Sequence, residues 1–252
     1  MIFQVAAVIF LYMTLIFVLA YFLKDNSIVD VFWGPGFVVV AAFTLMEASG
    51  WDVRKLVVSF LVFLWGMRLG VHIILRNRGR GEDFRYKAWR DTWKHFVLRS
   101  FFQIFMLQGL FMLIISAPVW FINSMPNAPL TVTDNLGLIL FGTGFFFEVI
   151  GDMQLSMFRK DPANKGKLMT SGLWSITRHP NYFGEALLWW GISLYALALP
   201  LGWVTLISPV VITLLLRFVS GVPMLEAKFR DYPGWDEYAG RTAPFIPFVK
   251  FF

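Results

Sequence analysis

Seven stretches of this chain, roughly 3–23, 28–46, 55–75, 97–121, 135–157, 182–200 and 202–220, are apolar over lengths that can cross a bilayer. A helix needs about 20 predominantly apolar residues to span the hydrocarbon core, and lipid admits only helices or closed barrels. The runs are long and show no short alternating segments. The sequence therefore predicts an all-α, polytopic membrane protein with about seven transmembrane helices. Composition agrees: 58% of residues are hydrophobic and 15% charged, against about 45–50% and about 25% in soluble domains. The last two runs read as a hairpin broken at Pro200-Leu201-Gly202, while Pro35, Pro118 and Pro209 are expected to mark kinks or helix ends.

Orientation follows from the basic residues. Arg76, Arg78, Arg80, Arg85, Lys87, Arg90, Lys94 and Arg99 lie between the third and fourth runs, and none lies between Asn123 and Asn135. Arg159, Lys160, Lys165, Lys167 and Arg178 follow the fifth run. Basic residues mark cytoplasmic connections, so the N-terminus is expected outside and the C-terminus in the cytoplasm. Arg54 and Lys55 run against this pattern. The first run has neither a cationic leader nor a small-residue cleavage site, and reads as a retained helix. With no internal repeat or linker, residues 1–252 read as a single integral-membrane domain.

Several chemistries are excluded. The chain has no Cys, hence no disulfide, thiolate metal site or Cys nucleophile. His72, His95 and His179 lie far apart, so no metal site is expected. The net charge of +6 fits basic flanks of membrane spans and contact with membrane lipids better than nucleic acid, which is not expected as a partner.

Three hydrophilic segments fall on the expected cytoplasmic side: 76–90, 152–185 and 226–248. Their cations alone would need only topology and lipid headgroups to explain them. These segments, however, also interleave Asn, Asp, Glu, His and Tyr, acceptors that a lipid-facing loop does not need. Arginines supply bidentate donors for phosphate, and Gly79 and Gly81 let backbone approach an anion. Asp83, Arg85, Tyr86 and Lys165 join this inventory, with Trp174 and Tyr182 as stacking planes. It suits a nucleotide cofactor without separating a dinucleotide from S-adenosylmethionine. No Gly-x-Gly-x-x-Gly after a strand and no Walker motif is present. Acids at membrane depth are costly and face a cavity or a partner. Asp30 opens the second run, where an interfacial helix end is the plainer reading. Glu148 and Asp152 are one turn apart in the fifth. Arg68 reads equally as a counter-ion or as a snorkelling cation.

The motifs Asn77-Arg-Gly-Arg80, Glu82-Asp-Phe-Arg-Tyr86, Gly172-Leu-Trp174, Arg178-His-Pro-Asn-Tyr-Phe-Gly-Glu185 and Ile246-Pro-Phe248 together resemble the steroid 5α-reductase family, in particular its compact bacterial members. They cover roughly residues 76–248, which reads as a family-like cofactor-binding portion. A looser likeness extends to sterol C14-reductases and isoprenylcysteine methyltransferases, which share an Arg-His-Pro-x-Tyr element. The resemblance implies a seven-helix enzyme that reduces the C4–C5 double bond of a 3-oxo-Δ4-steroid with NADPH. By motif it puts Asn77, Arg80, Asp152, Arg159, Asn181 and Glu185 on cofactor-binding positions. Glu148 stands where the animal enzymes have Asn. Arg178, His179, Tyr182, Tyr238 and Arg241 join as neighbours of the matched motifs. The family holds the substrate ketone with a Glu of the second helix and a Tyr of the third. Here Asp30 is the nearest acid, and Trp65 and Arg68 lie near the Tyr position, so these three are the expected catalytic residues. A lipophilic, steroid-like substrate would enter from the membrane among the first four spans. Rival readings are a membrane S-adenosylmethionine-dependent methyltransferase and a non-enzymatic lipid transporter or scaffold.

Overall fold

A computed structural model describes residues 1–79 and 81–250. Among them the chain is helical, with one isolated parallel β-bridge between Thr177 and Ala243. Six helical stretches are long and apolar enough to cross a membrane: Ile2–Leu23, Ile28–Met46, Val53–Asn77, Phe96–Ile115, Val132–Lys160 and Gly202–Phe229. The chain divides into two compact units, one comprising Met1–Thr131 with Tyr195–Thr205, the other Val132–Leu194 with the chain from Leu206 onward.

In the first unit, α1 (Ile2–Leu23), α2 (Ile28–Met46) and α3 (Val53–Asn77) run as consecutive spans. Without a solvent-driven hydrophobic force in lipid, helices associate where small residues let backbones meet. Gly34 of α2 faces Gly66 of α3 so closely that a Cβ on Gly34 would fall 2.4 Å from the Gly66 carbonyl oxygen. Pro35 lies inside the continuous α2, with its ring against Gly70. Phe37 and Trp65 close the core beside this contact, edge to face at 5.3 Å.

The expected 97–121 span is realised in pieces. The chain passes from α4 (Phe84–Thr92) into α5 (Phe96–Ser100), a π-helical turn at Phe101–Met106, α6 (Leu107–Ile115) and α7 (Ala117–Ser124). Pro118 sits in the first turn of α7, where its missing N–H costs nothing.

The basic pair that ran against the charge pattern is buried. Arg54 and Lys55 are each 1% exposed. Lys55 Nζ donates to the Gly50 carbonyl and to Asn127 Oδ1, both at 2.9 Å, and Arg54 Nη2 donates to the Pro129 carbonyl at 2.7 Å. Asp52 caps α3 through Lys55 N and also accepts from Ala128 N. These cations staple the 127–129 segment to the start of α3.

In the second unit, α8 (Val132–Lys160) and α9 (Pro180–Leu197) meet through glycines at seven-residue spacing. Gly144 lies against Gly184, and Gly191 against Gly137; a Cβ on Gly144, Gly184 or Gly191 meets backbone within 2.6 Å. Gly151 continues the row against Pro180. The 182–200 run expected as a span corresponds to α9, which is not among the six. Its first turn is polar, with Asn181, Tyr182 and Glu185, and no residue of the helix is exposed. A helix enclosed by protein does not need a lipid-compatible surface.

Beyond it come α10 (Ile207–Leu214), a π-helical turn at Leu215–Val219, α11 (Val222–Phe229) and α12 (Trp235–Arg241). The tail then pairs with the segment before α9: Arg178 N donates to the Ala243 carbonyl, Phe248 N to the Ile176 carbonyl and Thr177 Oγ1 to the Phe245 carbonyl. This pairing brings the Arg178-His-Pro and Ile246-Pro-Phe motifs together.

Candidate functional site

Two polar clusters stand out, one in each unit. In the first, Asp83 caps α4 and accepts from Arg85 N at 3.0 Å and from Arg85 Nε at 2.9 Å. That fixes the guanidinium, whose Nη2 donates to Asp30 Oδ2 at 2.8 Å. Tyr86, the next residue on α4, donates its hydroxyl to Asp30 Oδ1 at 2.6 Å. Gln108 of α6 approaches the same phenol. Asp30 is thus an acceptor at both oxygens. Burial, reinforced by the Asp30 carboxylate, holds the Tyr86 phenol well above its ordinary pKa.

Next to it a second latch forms. Glu82 Oε1 accepts from Asn26 N at 2.8 Å and from Arg90 Nη2 at 2.7 Å, while Glu82 Oε2 accepts from Arg90 Nε at 2.9 Å. The turn before α2 and the segment carrying α4 are therefore tied at one end of this unit. Burial works to raise the Glu82 and Asp83 carboxyls, but the bonds from Arg90 and Arg85 outweigh it and hold both below their usual range.

In the second unit, Arg178 Nε donates to Glu226 Oε1 at 2.7 Å, and its Nη1 donates to the Ala239 and Thr242 carbonyls. His179 is 3% exposed, with Nε2 at 3.3 Å from the same Glu226 oxygen. Burial pushes the imidazole below its ordinary pKa, against the opposing pull of Glu226. The ring is then neutral, Nε2–H donates, and the buried Nδ1 lone pair has no partner. Tyr182 stacks on this ring at 5.6 Å. Asn181 Nδ2 donates to Asp152 Oδ1 at 3.0 Å, across the α8–α9 glycine contact, and Asn181 Oδ1 is buried and unpartnered. Tyr238 donates to the Trp174 carbonyl at 2.6 Å, and Trp174 Nε1 to the Gly151 carbonyl at 3.1 Å. Burial holds the Tyr238 phenol above its ordinary pKa.

The structure thus gathers Asp30, Asp83, Arg85 and Tyr86 in one place, and Asp152, Arg178, His179, Asn181, Tyr182 and Tyr238 in another. Glu148 is 2% exposed on α8, one turn before Asp152, and Glu185 is half-buried on α9. Trp65 is a fully buried core residue and Arg68 is half-buried on α3. Asn77 accepts from its neighbour Arg76. Arg159 and Lys165 are exposed, and Arg241 pairs with Glu237. Arg80 lies outside the described residues.

Sequence reasoning did not single out Glu226 as a site residue, nor Glu82 or Gln108. Glu226 carried a usable signal: it is the only acid in the apolar stretch Gly202–Phe229. Gln108 carried none, because one amide in an apolar helix has no partner legible in sequence. Among the described residues no group of His, Asp and Glu could hold a metal ion.

A family model described as "Protein of unknown function (DUF1295)" matches residues 16–242. The protein of Ustilaginoidea virens named "Probable O-methyltransferase ustE" is 46% identical over 46 residues, 18% of this chain and 16% of that relative. The "Uncharacterized protein C594.04c" of Schizosaccharomyces pombe is 25% identical over 202 residues, 68% of this chain and 58% of that relative. The chain thus spans less than two thirds of either relative's length. No solved structure matches it.

Proposed function

The chain belongs to the DUF1295 family, a family related to steroid 5α-reductase-like membrane proteins, and from that premise we propose that it is an integral-membrane enzyme reducing the C4–C5 double bond of 3-oxo-Δ4-steroids or similar lipophilic enones with NADPH. The observation that carries the reading is the Tyr86 hydroxyl seated on Asp30. Reduction of an enone at its β-carbon builds negative charge on the carbonyl oxygen, and a fixed donor at that oxygen lowers the barrier. With Asp30 accepting from Arg85 as well, the transferable proton of the pair belongs to Tyr86, kept protonated by its raised pKa. Its one O–H, on Asp30 in this structure, would turn to the ketone oxygen, give the enol as the β-carbon takes the hydride, and reach the α-carbon by tautomerisation. Asp30 and Arg85 position the phenol, and Gln108 approaches it from α6.

NADPH supplies the hydride. The second cluster fits a nucleotide: Asn181 Oδ1 and His179 Nδ1 are buried acceptors awaiting donors, as ribose hydroxyls and amide or amino groups are, and Tyr182 offers a stacking face beside them. In this reading the cofactor side faces the cytoplasm.

The short match to a relative named as an O-methyltransferase favours a second reading, methyl transfer from S-adenosylmethionine to a lipidic substrate. Either cofactor can satisfy the two orphaned acceptors, so the test must separate them. Purified protein is heated with NADPH or with S-adenosylmethionine, then incubated with NADPH and a 3-oxo-Δ4-steroid. A raised melting temperature with NADPH and a product heavier by two hydrogens are expected. Protection by S-adenosylmethionine alone would overturn the reductase reading.

A further inference from the structure

A cleft of ≈ 320 Å³ in the first unit has none of Asp30, Arg85 and Tyr86 among its lining residues. Its walls are aromatic: Phe17, Tyr21 and Phe22 from the last turns of α1, and Phe96 from the first residue of α5. Lys24 and Arg90 stand at its polar end. The 22 residues of α1 rise ~33 Å, about the hydrocarbon thickness, so Lys24, the next residue, falls at headgroup level. Phe17 lies seven residues earlier, ~10 Å deeper. The cleft therefore runs from the membrane surface into the acyl region.

Its charge is uneven. Arg90 is held by Glu82 at 2.7 Å and lies over the Phe96 ring at 4.4 Å. Asp25 is turned toward Ser27, accepting from its N–H and its hydroxyl. Lys24 is exposed beside these satisfied groups and leaves the polar end cationic. Asn26 donates to Ser100 at 3.0 Å and closes the floor. Phe17 is set edge-on against Phe101 at 5.1 Å and Phe105 at 5.3 Å, which fixes the deep wall.

We propose that this cleft binds the headgroup phosphate and first acyl carbons of an anionic phospholipid. The phosphate meets Lys24 while the acyl carbons lie along Phe17 and Phe96. A soluble phosphate gains nothing from the aromatic walls, and a zwitterionic lipid offers Lys24 no net negative charge. The inference does not depend on the enzymatic reading.

The test is native mass spectrometry of the full chain released from mixed micelles with phosphatidylglycerol and phosphatidylcholine of identical acyl chains. The wild type retains phosphatidylglycerol about fivefold over phosphatidylcholine, the preference one cation near the surface confers. Lys24→Asn removes that preference; asparagine tolerates the left-handed backbone at this position (φ 55°), so the helix end survives. Lys24→Arg keeps the preference, and Lys160→Gln, at the exposed end of α8, leaves it unchanged. Equal retention of the two lipids by the wild type overturns the proposal. So does an equal loss in Lys160→Gln, or displacement of phosphatidylglycerol by millimolar inorganic phosphate.

Discussion

Tyr86 and Asp30 are separated by 56 residues and joined by one 2.6 Å bond, so each can be removed without deleting the other. Tyr86→Phe is expected to lower turnover by about 10²-fold or more, the usual range for a lost proton donor, while NADPH affinity stays near wild type. Asp30→Asn removes the charge that Arg85 Nη2 faces, while Asp83 still holds Arg85 Nε. The pair's side chains are 28% and 20% exposed, so the loss of stability is set at about 1.5–3 kcal/mol, the range for hydrogen bonds to charged groups. Calorimetric or fluorescence melting in detergent reads it. Asn181→Ala should instead weaken cofactor binding, read by titration, with melting little changed.

His179 adds a pH dependence. Its folded pKa is depressed, so between that value and about 6.5 the unfolded chain binds more protons. Its contribution is therefore whole above about pH 6.5 and lost as pH falls through the folded value. The melting temperature should fall between pH 7.5 and 5.5, and His179→Asn should flatten that limb. Glu82 and Asp83 are also depressed, but their stability is present above about pH 4.5 and lost below their folded values. The two limbs are separable in one titration.

Among the elements, the α8–α9 contact is the most exacting. A Cβ on Gly144 would fall 2.5 Å from the Gly184 carbonyl oxygen, backbone against backbone, with no flexible side chain to yield. Gly144→Ala or Gly184→Ala should cost about 1–3 kcal/mol, as overpacked sites do. The Asp152–Asn181 bond spans the same contact, so cofactor affinity should fall along with the melting temperature. Gly142→Ala on the same helix has open space around it and serves as the neutral comparison. At the start of α3, Lys55→Met removes both of the ammonium's bonds and should loosen the 127–129 segment, measured as faster amide hydrogen exchange there.

Across the whole molecule, the helical, polytopic class was legible because hydropathy over about 20 residues integrates many side chains, but the span number was not: seven were expected, and six helices among the described residues are long and apolar enough. Single residues were less legible. The basic pair at 54–55 looked like a violation of the charge rule, since sequence cannot show that both cations are consumed by carbonyls and Asn127. Asp30, Arg85 and Tyr86 were each singled out, yet their meeting was not, because a contact across 55 residues leaves no local pattern. The motifs did not place Arg178 beside the tail; the Thr177–Ala243 bridge does. Since Arg54 and Lys55 are buried, their neutral replacement should not alter membrane orientation; a reporter fused at the C-terminus is expected on the same side of the membrane in both forms.

The enclosure of α9 bears on how the chain is made. A helix with no exposed residue has less reason to keep the apolarity that commits a segment to the bilayer during synthesis, and its opening turn of Asn181, Tyr182 and Glu185 resists that commitment. It should enter only when the strongly apolar Gly202–Phe229 stretch emerges behind it and the two insert as a pair. Nascent chains stalled before that stretch should leave an engineered glycosylation site near Pro200 on the side of synthesis, and longer ones should carry it across.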